Sequence, residues 1–282
     1  MTELPTTLRV EDLGGGRWSA PHPTMDPEGR DVIFSGQVLA QMIMTSDAAC
    51  GHQKLVKSIH AVFVRSGSYS GGPMELVLES MHSGRAWASD TVTAYQGERM
   101  LSRGLALLNA VEPDLIRHSA AMPDLPGPDE SIRIERPVLF PGIEAREVDL
   151  ADAVTAEGAP ARYIWLRMPT QYDSVAANQA IVAWCQPGFI IELAMRPHRD
   201  RADIGEAHRL ISTGVISHTA HFHDSVDVSR WILLTQEATF AGNGRVGGSG
   251  SVFTQDGALV STFHQDAMVR GVESRLDPRR GM

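Results

Sequence analysis

Ser58-Ile59-His60-Ala61-Val62-Phe63 and His218-Thr219-Ala220-His221-Phe222 are two versions of one segment. Each ends in Phe and runs into a turn bearing Ser66 or Ser225. Each also belongs to a series of strand-like stretches. The first series covers residues 58–65, 74–80, 86–95 and 100–108, with a tight turn at Gln96-Gly97-Glu98. The second covers residues 210–223, 231–240, 248–254 and 258–269, and turns at Gln255-Asp256-Gly257, where Asp-Gly is the stronger hairpin signal. The two closing hairpins lie about 160 residues apart, a period that means a duplicated domain and not a solenoid.

A helix precedes each series. The first is expected over residues 36–49, where Val38, Leu39, Met42, Ile43 and Met44 are apolar over most of the circumference. The second is expected over residues 178–195, interrupted at Pro187-Gly188. A helix that is apolar all round must be wrapped by other structure, and here the wrapper is sheet. Two copies of a long central helix wrapped by an antiparallel sheet make an α+β fold. Pairing the free edges of the two copies removes an aggregation hazard, so one continuous sheet is expected. The copies take residues 1–112 and 142–282, joined by a Pro- and Asp-rich linker over residues 113–141 that contains PDLPGPDE.

Composition narrows the function. The chain has 282 residues, 43% hydrophobic and 21% charged, which supplies a core without disulfide or metal staples. A net charge of −9 argues against a nucleic-acid partner, although local arginines still suit a small anionic ligand. Cys50 and Cys185 lie in apolar runs and read as buried thiols of a reducing compartment. The start, MTELPTTLRVEDLGGG, lacks the pattern of a signal peptide, and no apolar run is long enough to insert in a membrane. The expectation is a cytoplasmic protein.

Several motifs resemble the acyl-CoA thioesterase II family. Ile33-Phe34-Ser35-Gly36-Gln37-Val38-Leu39-Ala40-Gln41 resembles that family's Phe-Gly-Gly-Gln-Val-x-x-Gln opening. The stretch from Lys57 to Gly67 is similar to its HSFHSYFLRPG strand and turn. In the second half His218-Thr219-Ala220-His221-Phe222-His223, Trp231 and Thr254-Gln255-Asp256-Gly257-Ala258-Leu259-Val260 follow in the family's order. The resemblance spans about residues 30 to 270 and implies a double hot-dog fold acting on medium- or long-chain acyl-CoA thioesters, with no cofactor. In that family an Asp, a Thr or Ser, and a Gln in the second copy hold the attacking water. The Gln falls on Gln265. The Asp falls within Cys185-Gln186-Pro187-Gly188, where the simplest register gives Pro187 with Gln186 beside it; the Thr falls on Val215, near Thr213 and Ser217.

Thioester hydrolysis needs an activated water and a stabilised oxyanion. Gln265 can orient a water or donate a hydrogen bond, but an amide is no base. The base must come from elsewhere, and Glu192, Asp266, His60, His218 and His264 are the candidates near the matched segments. Glu192 lies about one turn beyond the Asp position and can reach the same space. His264 and Asp266 flank Gln265, but strand alternation turns both to the opposite face. His60 and His218 are candidates to line the site. The helix start at Gly36 permits close approach and directs N–H groups at a thioester oxygen or phosphate, with Gln37 beside it. Arg65, Arg85, Arg99 and Arg103 are candidates for a CoA phosphate contact, Arg65 being the one in the matched strand. The apolar helices with Met42, Met44, Phe189, Ile190 and Ile191 are mainly core, with a part left to line an acyl tunnel.

Other chemistries fit poorly. His221 and His223 share a strand face that His218 does not, so three metal ligands do not converge. Gly242-x-Gly244-x-x-Gly247 sits between two strands with no helix after it, and reads as a loose hairpin instead of a dinucleotide loop. No nucleophile elbow surrounds Ser249 or Cys185. Two alternatives to hydrolysis remain: a tailoring enzyme (hydratase, dehydratase or cyclase) acting on an acyl thioester, and a non-catalytic acyl-CoA binder. Since one chain already equals a hot-dog dimer, further homo-oligomers are compatible with the duplication.

Overall fold

The fold was analysed in a computed structural model, which describes residues 3–22, 31–135, 139–150, 153–200 and 211–271. In chain order the first half holds β1 (Glu11–Gly14), β2 (Arg17–Ala20), α1 (Ser35–Ala49), β3 (Leu55–Phe63), β4 (Met74–Ser83), β5 (Trp87–Gln96) and β6 (Arg99–Asn109). The second half holds β7 (Ile132–Ile134), β8 (Glu144–Glu147), β9 (Ala161–Arg167), α2 (Val175–Cys185), α3 (Ile190–Met195), β10 (Ile211–Phe222), β11 (Ile232–Gly242), β12 (Arg245–Thr254) and β13 (Leu259–Gly271). Residue 210, expected to open β10, lies outside the described residues.

The thirteen strands of the described residues form one antiparallel sheet, ordered β1-β2-β4-β5-β6-β3-β10-β13-β12-β11-β9-β8-β7. The halves join where β3 pairs with β10, and His60 sits opposite Thr219 near the middle of that seam. The expected edge-to-edge union of two copies is therefore present, and it buries what would be two open edges.

α1 is apolar all round because it is enclosed all round: Gly36 through Asp47 are buried. Leu39, Met42 and Ile43 are fully inaccessible. Burial of each such side chain contributes about 1.5–3 kcal/mol. α2 is equally enclosed and packs against α1. Pro187 lacks the N–H that would continue α2, so the chain passes into a 3-10 turn (Gln186–Gly188) before α3 resumes. Both helices lie on one face of the sheet, and this inner face carries the main core.

The expected strands are present, each within a few residues of its reading. β1, β2, β8 and β9, which extend both copies before their helices, are not among the expected strands. Residues 113–141, expected to be linker throughout, contain β7, which pairs with β8; residues 136–138 lie outside the described residues. Nor does the connection run free. Met122 and Leu125 pack on Val148, Trp165, Trp231, Leu233 and Phe253, on the sheet face away from the helices. The Trp165 indole donates to the Pro126 carbonyl at 2.9 Å. The glycine-rich stretch after β11 is a tight hairpin, not a loose one: Gly242 pairs with Arg245 across Asn243 and Gly244, which both have positive φ (52° and 72°).

Candidate active site

The inner face of the second copy carries a row of buried polar side chains under the end of α2. His218 on β10 and Gln265 on β13 are directly opposite in the ladder. Ser261 points to the same face of β13, since positions 261, 263 and 265 alternate inward. The break at Pro187 brings Gln186 down onto them from the helix layer. Gln186, His218, Ser261 and Gln265 are all completely inaccessible to solvent. Phe263 stacks on the His218 ring with centroids 5.5 Å apart. Its ring fits because Gly250 lies opposite: a Cβ there would fall 2.5 Å from Phe263 Cζ.

Hydrogen bonds join the row. Gln186 Nε2 donates to Ser261 Oγ at 2.9 Å, and Ser261 Oγ donates to the His221 carbonyl at 2.7 Å. Gln186 Oε1 lies 3.0 Å from His218 Nε2, and the Gln265 amide lies 3.4 Å from His218 Nδ1. The Gln186 carbonyl, released by the helix break, accepts from Gln236 Nε2 at 2.7 Å. The other end of the Gln265 amide is buried with no partner. A buried amide end without a partner costs stability, so its retention suits a site that binds something.

Burial pushes His218 down to about 3; the Gln265 contact partly opposes this, and repulsion from His264 and His60 adds to it. His218 is thus neutral at physiological pH. Among the described residues the first copy holds no such row. One common residue offset carries His218–Gln265 onto the ladder pair Ile59–Ala106, both buried and apolar. The duplicated scaffold therefore presents this polar row once.

Residues 117–269 match the family model described as "Acyl-CoA thioesterase C-terminal domain". That is more than half of the chain and includes every member of the row. The chain belongs to the acyl-CoA thioesterase family. It is 25% identical over 262 residues to acyl-CoA thioesterase 2 of Haemophilus influenzae, aligning 84% of this chain with 87% of that protein. It is 23% identical over 284 residues to mouse acyl-coenzyme A thioesterase 8, covering 94% of this chain and 88% of the relative. Among solved structures, the acyl-CoA thioesterase II TesB2 of Mycobacterium marinum superimposes with a TM-score of 0.80 at 22% identity, covering 94% and 97% of the two chains. A hot-dog protein from Alicyclobacillus acidocaldarius gives 0.73 at 17% identity over 94% and 97%. These likenesses carry the double hot-dog fold.

Within this acyl-CoA thioesterase fold the nominated residues separate into those that meet and those that do not. Gln265, Gln186 and His218 come together. Gln186 enters the row while Pro187 shapes the break, so the side chain beside the expected Asp position, not the one at it, joins His218 and Ser261. Val215 is followed by a β-bulge, and Ser217 beyond it donates to Asp266 at 3.5 Å, so it supplies no hydroxyl to the row.

The remaining candidates stand elsewhere. Both Glu192 carboxylate oxygens accept from Arg162, each at 3.2 Å, and Glu147 lies 3.0 Å from the same guanidinium. Glu192 is thereby committed to an ion pair instead of being poised as a base. His60 is exposed and meets Thr219 Oγ1 at 2.7 Å, with its ring on the opposite sheet face from His218. Arg65 is exposed and donates to the Met100 carbonyl. Gly36 does permit close approach, but to protein: a Cβ there would lie 2.2 Å from the Trp184 carbonyl oxygen. Gln37 is fully buried and accepts from the Tyr69 hydroxyl at 3.2 Å, leaving its Nε2 unpartnered. Neither residue presents the helix start to a ligand. Cys185 is buried and pushed up to about 12 by desolvation, which denies it thiolate chemistry. Ser261, Phe263 and Gln236 were missed in the sequence; the period-2 spacing of Ser261, Phe263 and Gln265 was the available signal.

Proposed function

We propose that this chain hydrolyses medium- and long-chain acyl-CoA thioesters, with Gln265 holding the attacking water. The observation that carries this reading is the unpartnered end of the Gln265 amide, buried in a row of neutral polar groups. Family membership supplies the substrate class, since the named relatives are acyl-CoA thioesterases. Gln186 and His218 act as positioning residues that fix the amide. The row supplies no charge: His218 is neutral and the remaining members are amides and a hydroxyl. Catalysis then relies on orienting water against the thioester carbonyl, helped by a thiol leaving group that departs more readily than an alcohol. We place the reaction in the cytoplasm, a reading supported by two free thiols and by the absence, among the described residues, of a helix able to cross a membrane.

The test is release of free CoA from a panel of acyl-CoAs. Gln265→Ala is expected to lower kcat by about 10²-fold or more, the usual scale for losing a polar group that acts on the reacting atoms. No turnover above background on any chain length defeats the hydrolase reading. A second reading is favoured by the same uncharged row, which lacks a base: the site binds an acyl thioester without hydrolysing it, or alters the acyl group with the thioester retained. Thermal stabilisation by an acyl-CoA without CoA release supports binding. A product that keeps its thiol supports the tailoring enzyme.

A further inference from the structure

The order of donors and acceptors in the buried row is not free. It begins at the His221 carbonyl, which only accepts. Ser261 lies 2.7 Å from that oxygen, so its hydroxyl proton points there. The Ser261 oxygen is then left as an acceptor toward Gln186, 2.9 Å away, and the atom facing it must be Nε2. The Gln186 carbonyl oxygen consequently faces His218 Nε2 at 3.0 Å, and that nitrogen must carry a hydrogen. His218 is completely buried, has no carboxylate in the row, and is neutral, so its single proton is used at Nε2. Nδ1 is a bare lone pair.

That lone pair lies 3.4 Å from the Gln265 amide. With Oε1 turned toward it, two acceptors oppose each other and Nε2 is buried without a partner. Turning the amide by half a revolution removes the clash: Nε2–H donates to Nδ1, and Oε1 takes the buried position that has no protein partner, where it can accept from a bound donor. We propose that the His221 carbonyl, Ser261, Gln186 and His218 form a one-way hydrogen-bond relay that holds Gln265 with its amide nitrogen on His218 and its oxygen at the buried position that has no protein partner. The relay decides what Gln265 can bind. An oxygen at that point accepts from a donor, so it holds a water and does not act as an oxyanion donor to the thioester carbonyl. Ser261, Gln186 and His218 are positioning residues acting through Gln265. The water-holding role rests on the hydrolase reading; the relay itself does not.

The direct measurement is a long-range proton–nitrogen NMR spectrum of the full-length protein labelled with nitrogen-15 in histidine. His218 is assigned by the signal lost in His218→Asn. The expected result is one neutral ring carrying its proton on Nε2, unchanged between about pH 5 and 8, where an ordinary histidine titrates. A proton on Nδ1, or an imidazolium in that range, overturns the relay. Gln265→Glu gives a second readout, because a carboxylate cannot donate to Nδ1. His218 is then expected to gain a proton at Nδ1 at neutral pH, and an unchanged ring overturns the proposal. Ser261→Ala frees Gln186 to turn and is expected to lower kcat about 10-fold with KM unchanged. The two readings fail separately. An Nε2-protonated His218 in a protein that releases no CoA keeps the relay and defeats hydrolysis; CoA release with an Nδ1-protonated ring does the reverse.

Discussion

Gly36 at the start of α1 and Trp184 near the end of α2 meet backbone to backbone, with the Trp184 carbonyl 2.2 Å from where a Gly36 Cβ would stand. The glycine within the stretch that resembles the family's opening motif thus sets how closely the two central helices pack. Gln186, two residues beyond Trp184, inherits its position from that contact. Gly36→Ala must push the helices apart or bend one of them, and overpacking of this kind costs about 1–3 kcal/mol or more. Thermal or urea unfolding is expected to show that loss. Since Gln186 moves with α2, kcat of the folded fraction should fall too. Unchanged stability contradicts the contact.

A second expectation concerns acid. The His218 proton affinity falls from an ordinary 6.5 to about 3 on folding, because burial opposes its charge. Between those values the unfolded chain binds the extra proton and the native chain does not, so stability rises with pH across that window. The contribution is complete above about pH 6.5 and is lost progressively as pH falls toward 3. The slope approaches about 1.4 kcal/mol per pH unit for one proton. Urea titrations at stepped pH should show this slope in the native sequence and a shallower one in His218→Asn.

Arg162 is buried beneath Glu192 and Glu147, with its guanidinium carbon 5.4 Å from the centre of the Phe189 ring. Removing one partner leaves most of a buried cation's desolvation cost uncompensated. Glu192→Gln is expected to destabilise by about 1–3 kcal/mol. If Glu192 is structural, kcat of the folded enzyme stays within about twofold, since no group on the reacting atoms is lost. A collapse of kcat with stability intact restores Glu192 as the base.

These cases show why some parts were legible in the sequence. The helices were readable because enclosure leaves an apolar circumference, and the hairpins because Asp-Gly and Gln-Gly-Glu carry turn chemistry. β1, β2 and β8 are short strands at or beside the ends of the sheet, of mixed polarity (EDLG, RWSA and EARE), and four residues give alternation too little length to show. β9 is buried on both faces, beneath the connecting segment on one side, so its pattern breaks alternation as well. Gln265 was legible through its motif. Gln186 was blurred because register along a helix fails where Pro187 changes the helix type. Ser261 and Gln236 have no motif, and only the folded row reveals their partners.

The last expectation follows from the charge state of the whole row. An amide does not titrate, and His218 stays neutral until pH nears 3. Nothing in the row therefore changes protonation between about pH 5 and 8, whereas a histidine or carboxylate base would impose an acid limb on kcat there. The wild-type kcat, measured at saturating acyl-CoA, should show no such limb. Gln186→Glu puts a carboxylate against His218 Nε2 and favours the imidazolium, raising the ring's proton affinity toward the ordinary range. Its pH profile should gain an inflection that the native enzyme lacks. An acid limb in the native enzyme, kept in Gln186→Glu, would mean that the base lies outside this row, and the neutral-row mechanism would have to be abandoned.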